Sequence, residues 1–205
     1  MDQEGIMKNT DFSRYGARIN LKSDLTDKFN IGFNATGSYM QDNFIANGFG
    51  INEWAGPLYS AYNFDPALPV FDEDGNYATS PLLTVDNPVA LSEGMKSTSN
   101  TNRILASVYG EYHFTSDLYA RLNIGGDFVN ESRKSFISSL TKAGSNSGGI
   151  ASNQNVEKSN YLVEGTLHYD KSFGNHMIGA LAGVTYQRFV NNGLNNEASD
   201  FPNES

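Results

Sequence analysis

The sequence contains no cysteine, which excludes disulfide bonds and thiolate metal sites. It has 14 Lys and Arg against 23 Asp and Glu, for a net charge of -9 at pH 7. A nucleic-acid backbone is bound by basic surfaces, so this balance argues against a nucleic-acid partner. No run approaches the roughly 20 apolar residues of a membrane-spanning helix. Residues 1–5 are acidic and do not resemble a signal peptide.

Glycine and aromatic residues are abundant instead, with 20 Gly, 11 Tyr and 13 Phe among 205 residues. This composition favours β-structure. The mean hydropathy of -0.44 is that of a polar chain. The wall of a β-barrel also gives such a value, because half of each strand faces water.

Residues 12–42 show the alternation of two long strands joined by a short polar turn. Successive side chains of a strand point to opposite faces, so Ile19 and Phe33 fall on an apolar wall and Arg14 and Arg18 on a polar one. The same pattern returns in two later stretches. The sequence therefore predicts an all-β, antiparallel up-and-down meander of about six long strands, with hairpins at about 12–42, 101–131 and 159–189.

Long connections separate the predicted hairpins, whereas the turns within them are short. The expected loops are 43–100, 132–158 and 190–205. The first loop contains five of the six prolines, and we expect a short helix within 51–63, broken at Pro57, and a Gly turn between two extended pieces at 70–77. Strands of soluble proteins usually have about 5–6 residues, whereas crossing a bilayer takes about 9–11. Long strands with short turns at one end and long loops at the other are typical of outer-membrane barrels, although a soluble β-sandwich or an extended β-repeat shows the same alternation.

Four stretches resemble SusC/RagA-type TonB-dependent transporters of the Bacteroidota: YGARINLKSDLTDKFNIGFN, YNFDPALPVFDEDGNYA, NPVALSEGMKSTSNTNRI and LAGVTYQ. The similarity is diffuse and covers nearly the whole chain. It implies that residues 1–205 are a partial barrel domain, an internal fragment of a barrel of about 22 strands. It also implies a location in the cell outer membrane, with the plug domain absent from this chain.

The resemblance also implies a set of partners. These are outer-membrane lipid, a SusD-like surface lipoprotein, the TonB-ExbB-ExbD complex acting through the plug, and an oligosaccharide or peptide substrate. The chain would then be a wall segment of a nutrient importer. The alternative is a soluble or surface-attached β-rich glycan-binding module. Five apolar residues distinguish the two cases: Ile19, Phe33, Val108, Ile124 and Val163. In a membrane barrel they should form an exposed apolar band about 25 Å tall. In a soluble module they should pack against a second sheet.

No catalytic, cofactor or metal site stands out, so an enzyme has no support in the sequence. The acidic run 72–76 lacks the full spacing of a calcium loop and is better explained as a turn. Aromatic loop residues are candidates for stacking on sugars or packing against a lid protein, with local packing as the simpler explanation. Charged residues of the polar wall are candidates for substrate contact, although any barrel lumen is polar. The candidate substrate-binding residues are Trp54, Tyr59 and Tyr62 in the loop and Arg103, Glu111, Arg121 and Asp127 on the wall.

Overall fold

One antiparallel sheet dominates the computed structural model, which describes residues 1–45, 56–81 and 84–203. Seven strands follow one another in the sheet in chain order. They are β1 (Asp2–Glu4), β2 (Asp11–Thr26), β3 (Phe29–Phe44), β4 (Met95–His113), β5 (Leu118–Ile137), β6 (Ile150–Phe173) and β7 (His176–Ser199). The predicted all-β meander of six long strands is confirmed. The three-residue β1 was missed because it is too short to show an alternating pattern.

Among the described residues, three short helices interrupt the connections between hairpins: α1 (Pro57–Asn63), α2 (Pro88–Gly94) and α3 (Lys142–Ser145). Within the described ranges, none of the helices is long and apolar enough to cross a membrane.

The six long strands have 16 to 24 residues, and the turns that join them in pairs lie at one end of the sheet. We call this the turn end and the opposite end the loop end. The turns occupy residues 27–28, 114–117 and 174–175. The last of these turns uses Gly174 in the left-handed region, with φ +58°, which glycine adopts without steric cost.

The strands continue further toward the loop end than the alternation predicted. β5 runs to Ile137, β6 begins at Ile150 and β7 runs to Ser199. The expected loop bounds 132–158 and 190–205 are therefore wrong. These extensions are rich in Asn and Ser on both faces, so their apolar alternation is weak, whereas the backbone groups pair whatever the side chains are.

The first loop is also shorter than predicted, because β3 ends at Phe44 and β4 begins at Met95. The expected break at Pro57 is wrong as well: α1 begins there, and proline fits the first turn of a helix because its missing N–H needs no partner. Residues 51–55 of the expected helix lie outside the described residues. The predicted Gly turn is confirmed, since Phe71 and Tyr77 form a β-bridge around Gly75, which has φ +83°.

Strand register places the predicted apolar residues on one face of the sheet. Leu21, Phe33, Val108, Ile124, Val163 and Tyr186 are successive partners across β2 to β7. Ile19 is 53% exposed and Ile124 is 46% exposed. Over the described part of the chain all long strands belong to this one sheet, so no second sheet covers these residues. We call this the outer face and the opposite one the inner face.

The loops at the loop end pack into a cap with its own small core. Ile45, Leu91 and Met95 are almost fully buried, with Met7 and Ile137 packed against them. Asn87, 2% exposed, is the central polar residue of the cap. Its Nδ2 donates to the carbonyl oxygens of Val70 at 3.0 Å and Ala78 at 3.2 Å, and its Oδ1 accepts from the Val89 N–H at 3.0 Å. One side chain therefore ties the 70–78 turn to the start of α2.

Asp86 joins this cap to the second loop. Its Oδ2 accepts a 2.6 Å hydrogen bond from the backbone N–H of Lys142 at the start of α3. Its carbonyl oxygen accepts a hydrogen bond from Ser60 Oγ of α1. The backbone N–H of Ser138 adds a 2.8 Å bond to the carbonyl of Gly94. The two loops therefore form one hydrogen-bonded body.

Replacing Asn87 by Ala should loosen the cap without affecting the sheet. The substitution removes a helix cap worth about 1 kcal/mol and takes the Nδ2 donor from the buried carbonyl of Ala78, at about 1–3 kcal/mol. The Val70 carbonyl keeps its bond from the backbone N–H of Ala78. We expect amide hydrogen exchange across residues 70–94 to accelerate by about 30-fold or more, while β3–β6 keep their protection. Asn63→Ala is the matched control, because its amide makes only an exposed bond to the Tyr59 carbonyl. Equal exchange in both variants would contradict this role of Asn87.

Candidate functional site

The inner face carries the charged wall candidates, and the first of them form a bidentate pair. Arg103 on β4 donates from Nε to Asp127 Oδ1 at 2.9 Å and from Nη2 to Oδ2 at 2.8 Å. The side chains are 50% and 24% exposed. Parallel N–H···O bonds of this type fix both groups in one plane. This position of the inner face therefore carries a neutral, oriented pair.

Glu111 and Arg121 are direct cross-strand partners, yet each contacts another residue. Glu111 Oε1 lies 2.9 Å from His113 Nε2. The guanidinium carbon of Arg121 lies 3.9 Å from the ring centroid of Tyr109, a cation–π contact. These contacts hold both charged groups along the wall.

Glycine at position 32 makes the Tyr109 position possible. Gly32 pairs with Tyr109 across β3 and β4, and a Cβ at residue 32 would lie 2.2 Å from Tyr109 Cε1. The ring therefore occupies the space above the glycine, where Arg121 reaches it. Sequence reasoning missed Tyr109 and Gly32, because only the register reveals that they are partners.

A row of stacked rings on the inner face was also missed. His113, Tyr119 and His168 are successive partners on β4, β5 and β6. The ring centroids lie 5.0 Å and 4.4 Å apart, and the second pair is almost parallel, at 5°. Their stacking follows from register, which sequence patterns alone do not define.

The two candidate loop aromatics among the described residues, Tyr59 and Tyr62, lie in the cap. Tyr59 is 38% exposed and Tyr62 is 91% exposed, both on α1; Trp54 lies outside the described residues. On the wall, Arg103 and Glu111 are separated by eight positions of β4, about 26 Å along a strand. The structure therefore distributes the candidates over a long surface and does not gather them into one pocket.

The cap contains an aromatic contact in which the pKa of a tyrosine hydroxyl is raised. Phe71 and Tyr77 pack with ring centroids 5.1 Å apart, and the Tyr77 hydroxyl donates a 2.7 Å hydrogen bond to Glu93 Oε2 of α2. That hydrogen bond raises the pKa of Tyr77 above its ordinary value, and burial and the charge of Glu93 act in the same direction. The phenol therefore stays protonated and holds the turn against α2.

The described residues contain no group of three or more His, Cys, Asp or Glu placed to hold a metal ion.

The apolar part of the outer face ends toward the loop end along an oblique line. Moving from the middle of each strand toward the loop end, the boundary residue is the last apolar outer residue before the first polar one. From β2 to β7 these boundary residues are Tyr15, Tyr39, Ile104, Phe128, Tyr161 and Tyr186.

Register gives the slope of this boundary. Tyr15 pairs with Tyr39, but the β4 partner of Tyr39 is Asn102, two residues before Ile104. The shifts toward the turn end from one strand to the next are zero, two, zero, two and two residues. The boundary therefore drifts by six residues over five steps from β2 to β7.

Replacing Gly32 by Ala should displace the Tyr109 ring and break its contact with Arg121. We expect the free energy of unfolding to fall by about 1–3 kcal/mol, as in other overpacked sites. In a Tyr109→Ala background the same change should cost little, and this double-mutant cycle identifies the ring as the cause. Gly37→Ala is the control, since a Cβ at Gly37 meets no atom within 4 Å. An equal loss with and without the Tyr109 ring would disprove the assignment.

No protein-family model matches the chain, but curated proteins do. It is 30% identical over its whole length to TonB-dependent receptor P26 of Formosa agariphila, and 29% identical over 93% of its length to TonB-dependent receptor P3 of that organism. It is 25% identical to TonB-dependent receptor SusC of Bacteroides thetaiotaomicron over 94% of its length. The chain spans about a fifth of the length of these relatives, 21%, 19% and 21% respectively.

Solved structures share the fold. The RagAB peptide transporter superposes with a TM-score of 0.76 at 17% identity, over 99% of this chain and 23% of that chain. The RagAB peptide importer in the open-open state gives 0.73 at 17% identity, over 98% of this chain and 23% of that chain. The resemblance to SusC/RagA-type TonB-dependent transporters is therefore confirmed, and the sheet has the fold of part of their barrel.

Proposed function

We propose that this chain, a relative of the TonB-dependent receptors of SusC/RagA type, forms part of the wall of an outer-membrane barrel that imports nutrients. The relatives are TonB-dependent receptors, which are transporters rather than enzymes. Because the chain spans only about a fifth of them, transport, substrate and partners are proposals for this protein. The proposed location is the cell outer membrane.

The oblique apolar boundary carries this proposal. A drift of six residues over five steps is about 4 Å per step at a rise of roughly 3.3 Å per residue. With strands about 4.8 Å apart, a flat membrane surface would cut the sheet along this line if the strands were tilted by about 40°. Strands of membrane barrels are tilted by about 35–45°. A soluble sheet has no reason to end its apolar face along such a slope.

The height of the apolar band also fits a membrane. On β5 the outer residues from Phe128 to Leu118 span ten positions, about 33 Å along the strand and about 25 Å in height at that tilt. Aromatic rings lie at both limits of the band, with Tyr39 and Tyr161 toward the loop end and Phe29 and Tyr169 toward the turn end. Such girdles are typical of membrane barrels.

The orientation follows from the lengths of the connections. Barrels of this kind have short periplasmic turns and longer extracellular loops, so we place the turn end in the periplasm and the cap outside the cell. A SusD-like lipoprotein would then meet the cap. The TonB-ExbB-ExbD complex would act through the plug domain of such a transporter.

The substrate is proposed to be an oligosaccharide or a peptide. One structural relative is described as a peptide transporter. The loop and wall candidates remain proposed contacts: Trp54, Tyr59, Tyr62, Arg103, Glu111, Arg121 and Asp127. The fixed Arg103–Asp127 pair and the Arg121–Tyr109 stack offer hydrogen bonds and a flat ring surface, and both substrate classes use such groups.

Deleting the gene that encodes the chain tests the transport proposal. The protein should appear in the outer-membrane fraction, and the deletion strain should lose uptake of one labelled oligosaccharide or peptide mixture while other solutes enter normally. Recovery of the protein in a soluble fraction would instead favour the glycan-binding module.

Arginine on the outer face should block assembly in the membrane. Val108→Arg places a charge in the middle of the apolar band, where an arginine facing lipid costs about 2–4 kcal/mol. We expect less folded protein in the outer membrane. Ser107→Arg, the neighbouring position on the inner face, is the matched control and should assemble at the normal level. Equal assembly of both variants would contradict the proposed lipid contact of the outer face.

Removing the ring of Tyr62 should weaken transport without weakening the fold. The side chain is 91% exposed, so Tyr62→Ala should leave the amount of folded protein unchanged. We expect uptake at low substrate concentration to fall several-fold, and Tyr62→Phe, which keeps the ring, to retain most of it. Unchanged uptake by Tyr62→Ala would remove Tyr62 from the proposed contacts.

A further inference from the structure

We propose that the outer face just beyond the apolar boundary binds the sugar headgroups of glycolipids in the outer leaflet. This inference rests on the proposed membrane location and names the partner of a surface that transport does not use. We call this surface the amide collar. Its first row is the next outer residue beyond each boundary residue, namely Ser13, Gln41, Asn102, Asn130, Ser159 and Arg188.

The chemistry of the collar is unusual for an acidic chain. Its first row contains three amides, two hydroxyls and one guanidinium, and no carboxylate, although the chain has a net charge of -9. Asn102 and Asn130 are exposed and lie opposite each other on β4 and β5. Amide groups donate and accept hydrogen bonds at once, as sugar hydroxyls do.

The inner face at the same height differs, so the amides are not a general property of strands beyond the boundary. The first three outer positions beyond the boundary, taken over all six strands, contain six asparagines: Asn43, Asn100, Asn102, Asn130, Asn155 and Asn192. The corresponding inner positions hold two, Asn160 and Asn191. Charged residues occur on both faces in this zone, so the difference between the faces lies in the asparagines.

The sheet presents these groups at regular spacing. Neighbouring strands lie about 4.8 Å apart, and outer residues of one strand about 7 Å apart. Hydrogen bonds orient several of them: the Tyr39 hydroxyl donates to Asn100 Oδ1 at 3.2 Å, and Asn130 Nδ2 donates to Glu157 Oε1 at 3.4 Å. A row of sugar rings lying against the wall would meet a polar group at each strand.

The collar also carries one positive charge, at the level where the proposed glycolipid headgroup would begin. Arg188 is exposed and follows the boundary residue Tyr186 directly on the outer face of β7. Guanidinium groups bind phosphate through paired hydrogen bonds. The collar therefore offers amides for sugars and one guanidinium for a phosphate next to the acyl chains. The described residues form no such row at the turn end. The outer surface there carries the Lys171–Asp117 ion pair instead, at 3.3 Å.

Binding to lipopolysaccharide tests the collar. The complete protein that carries this chain would be placed in phosphatidylethanolamine nanodiscs with and without rough-type lipopolysaccharide, and retained lipopolysaccharide measured by native mass spectrometry. We expect the double variant Asn102→Ala, Asn130→Ala to retain at least five-fold less. The matched control Asn160→Ala, Asn191→Ala changes the same residue type at the same height on the inner face and should retain the normal amount.

A third variant separates the sugar contacts from the phosphate contact. Arg188→Gln should lower retention of phosphorylated lipopolysaccharide but not of the dephosphorylated form. Equal retention by the outer double variant and the parent, or equal losses in the outer and inner double variants, would overturn the collar. A protein that does not enter the outer-membrane fraction in cells would count against the proposed function itself, whereas a membrane-inserted protein without preference for lipopolysaccharide refutes only this inference.

Discussion

The unbroken ladder of backbone hydrogen bonds from β2 to β7 is the constraint on which the other features depend. From β3 to β7 every strand residue has a partner, and the single irregularity lies at Asp24 beside the first turn. Side chains of a strand alternate with a period of two, so one slip of register would move every apolar residue to the other face. The ladder therefore determines which residues lie on the outer face and which lie on the inner face.

Alternation of side chains predicted the hairpins and the two faces, because burial or lipid contact selects apolar residues at every second position. The placement of Leu21, Phe33 and Val108 on apolar strand faces was readable from sequence for that reason, and register makes them partners. In residues 190–199 of β7, Asn192 and Asn196 interrupt the apolar residues of the outer face, so the alternation is too weak to show the strand. The stack of His113 on Tyr119 and the position of Tyr109 over Gly32 depend on register between strands, which no local pattern contains.

Polar groups serve opposite purposes on the wall and in the cap. On the inner face the charges remain partly exposed and form pairs such as Arg103–Asp127, so they cost little to hold near water. In the cap, Asn87 and Asp86 are buried and their side-chain oxygens and nitrogens all bond to backbone groups. Such satisfied buried groups specify one arrangement of the chain. The charged groups of the inner face are therefore solvated, whereas the buried polar groups of the cap are held in one arrangement.

The hydrogen bond from the Lys142 backbone to Asp86 makes two segments far apart in sequence one mechanical unit. Insertions or deletions in either loop would have to preserve that contact. Recombination between related receptors should therefore exchange residues 56–94 and 138–149 together, as one cassette, while the strands between them remain interchangeable. Variation in the surface of the cap would then arise in coordinated pairs of loops.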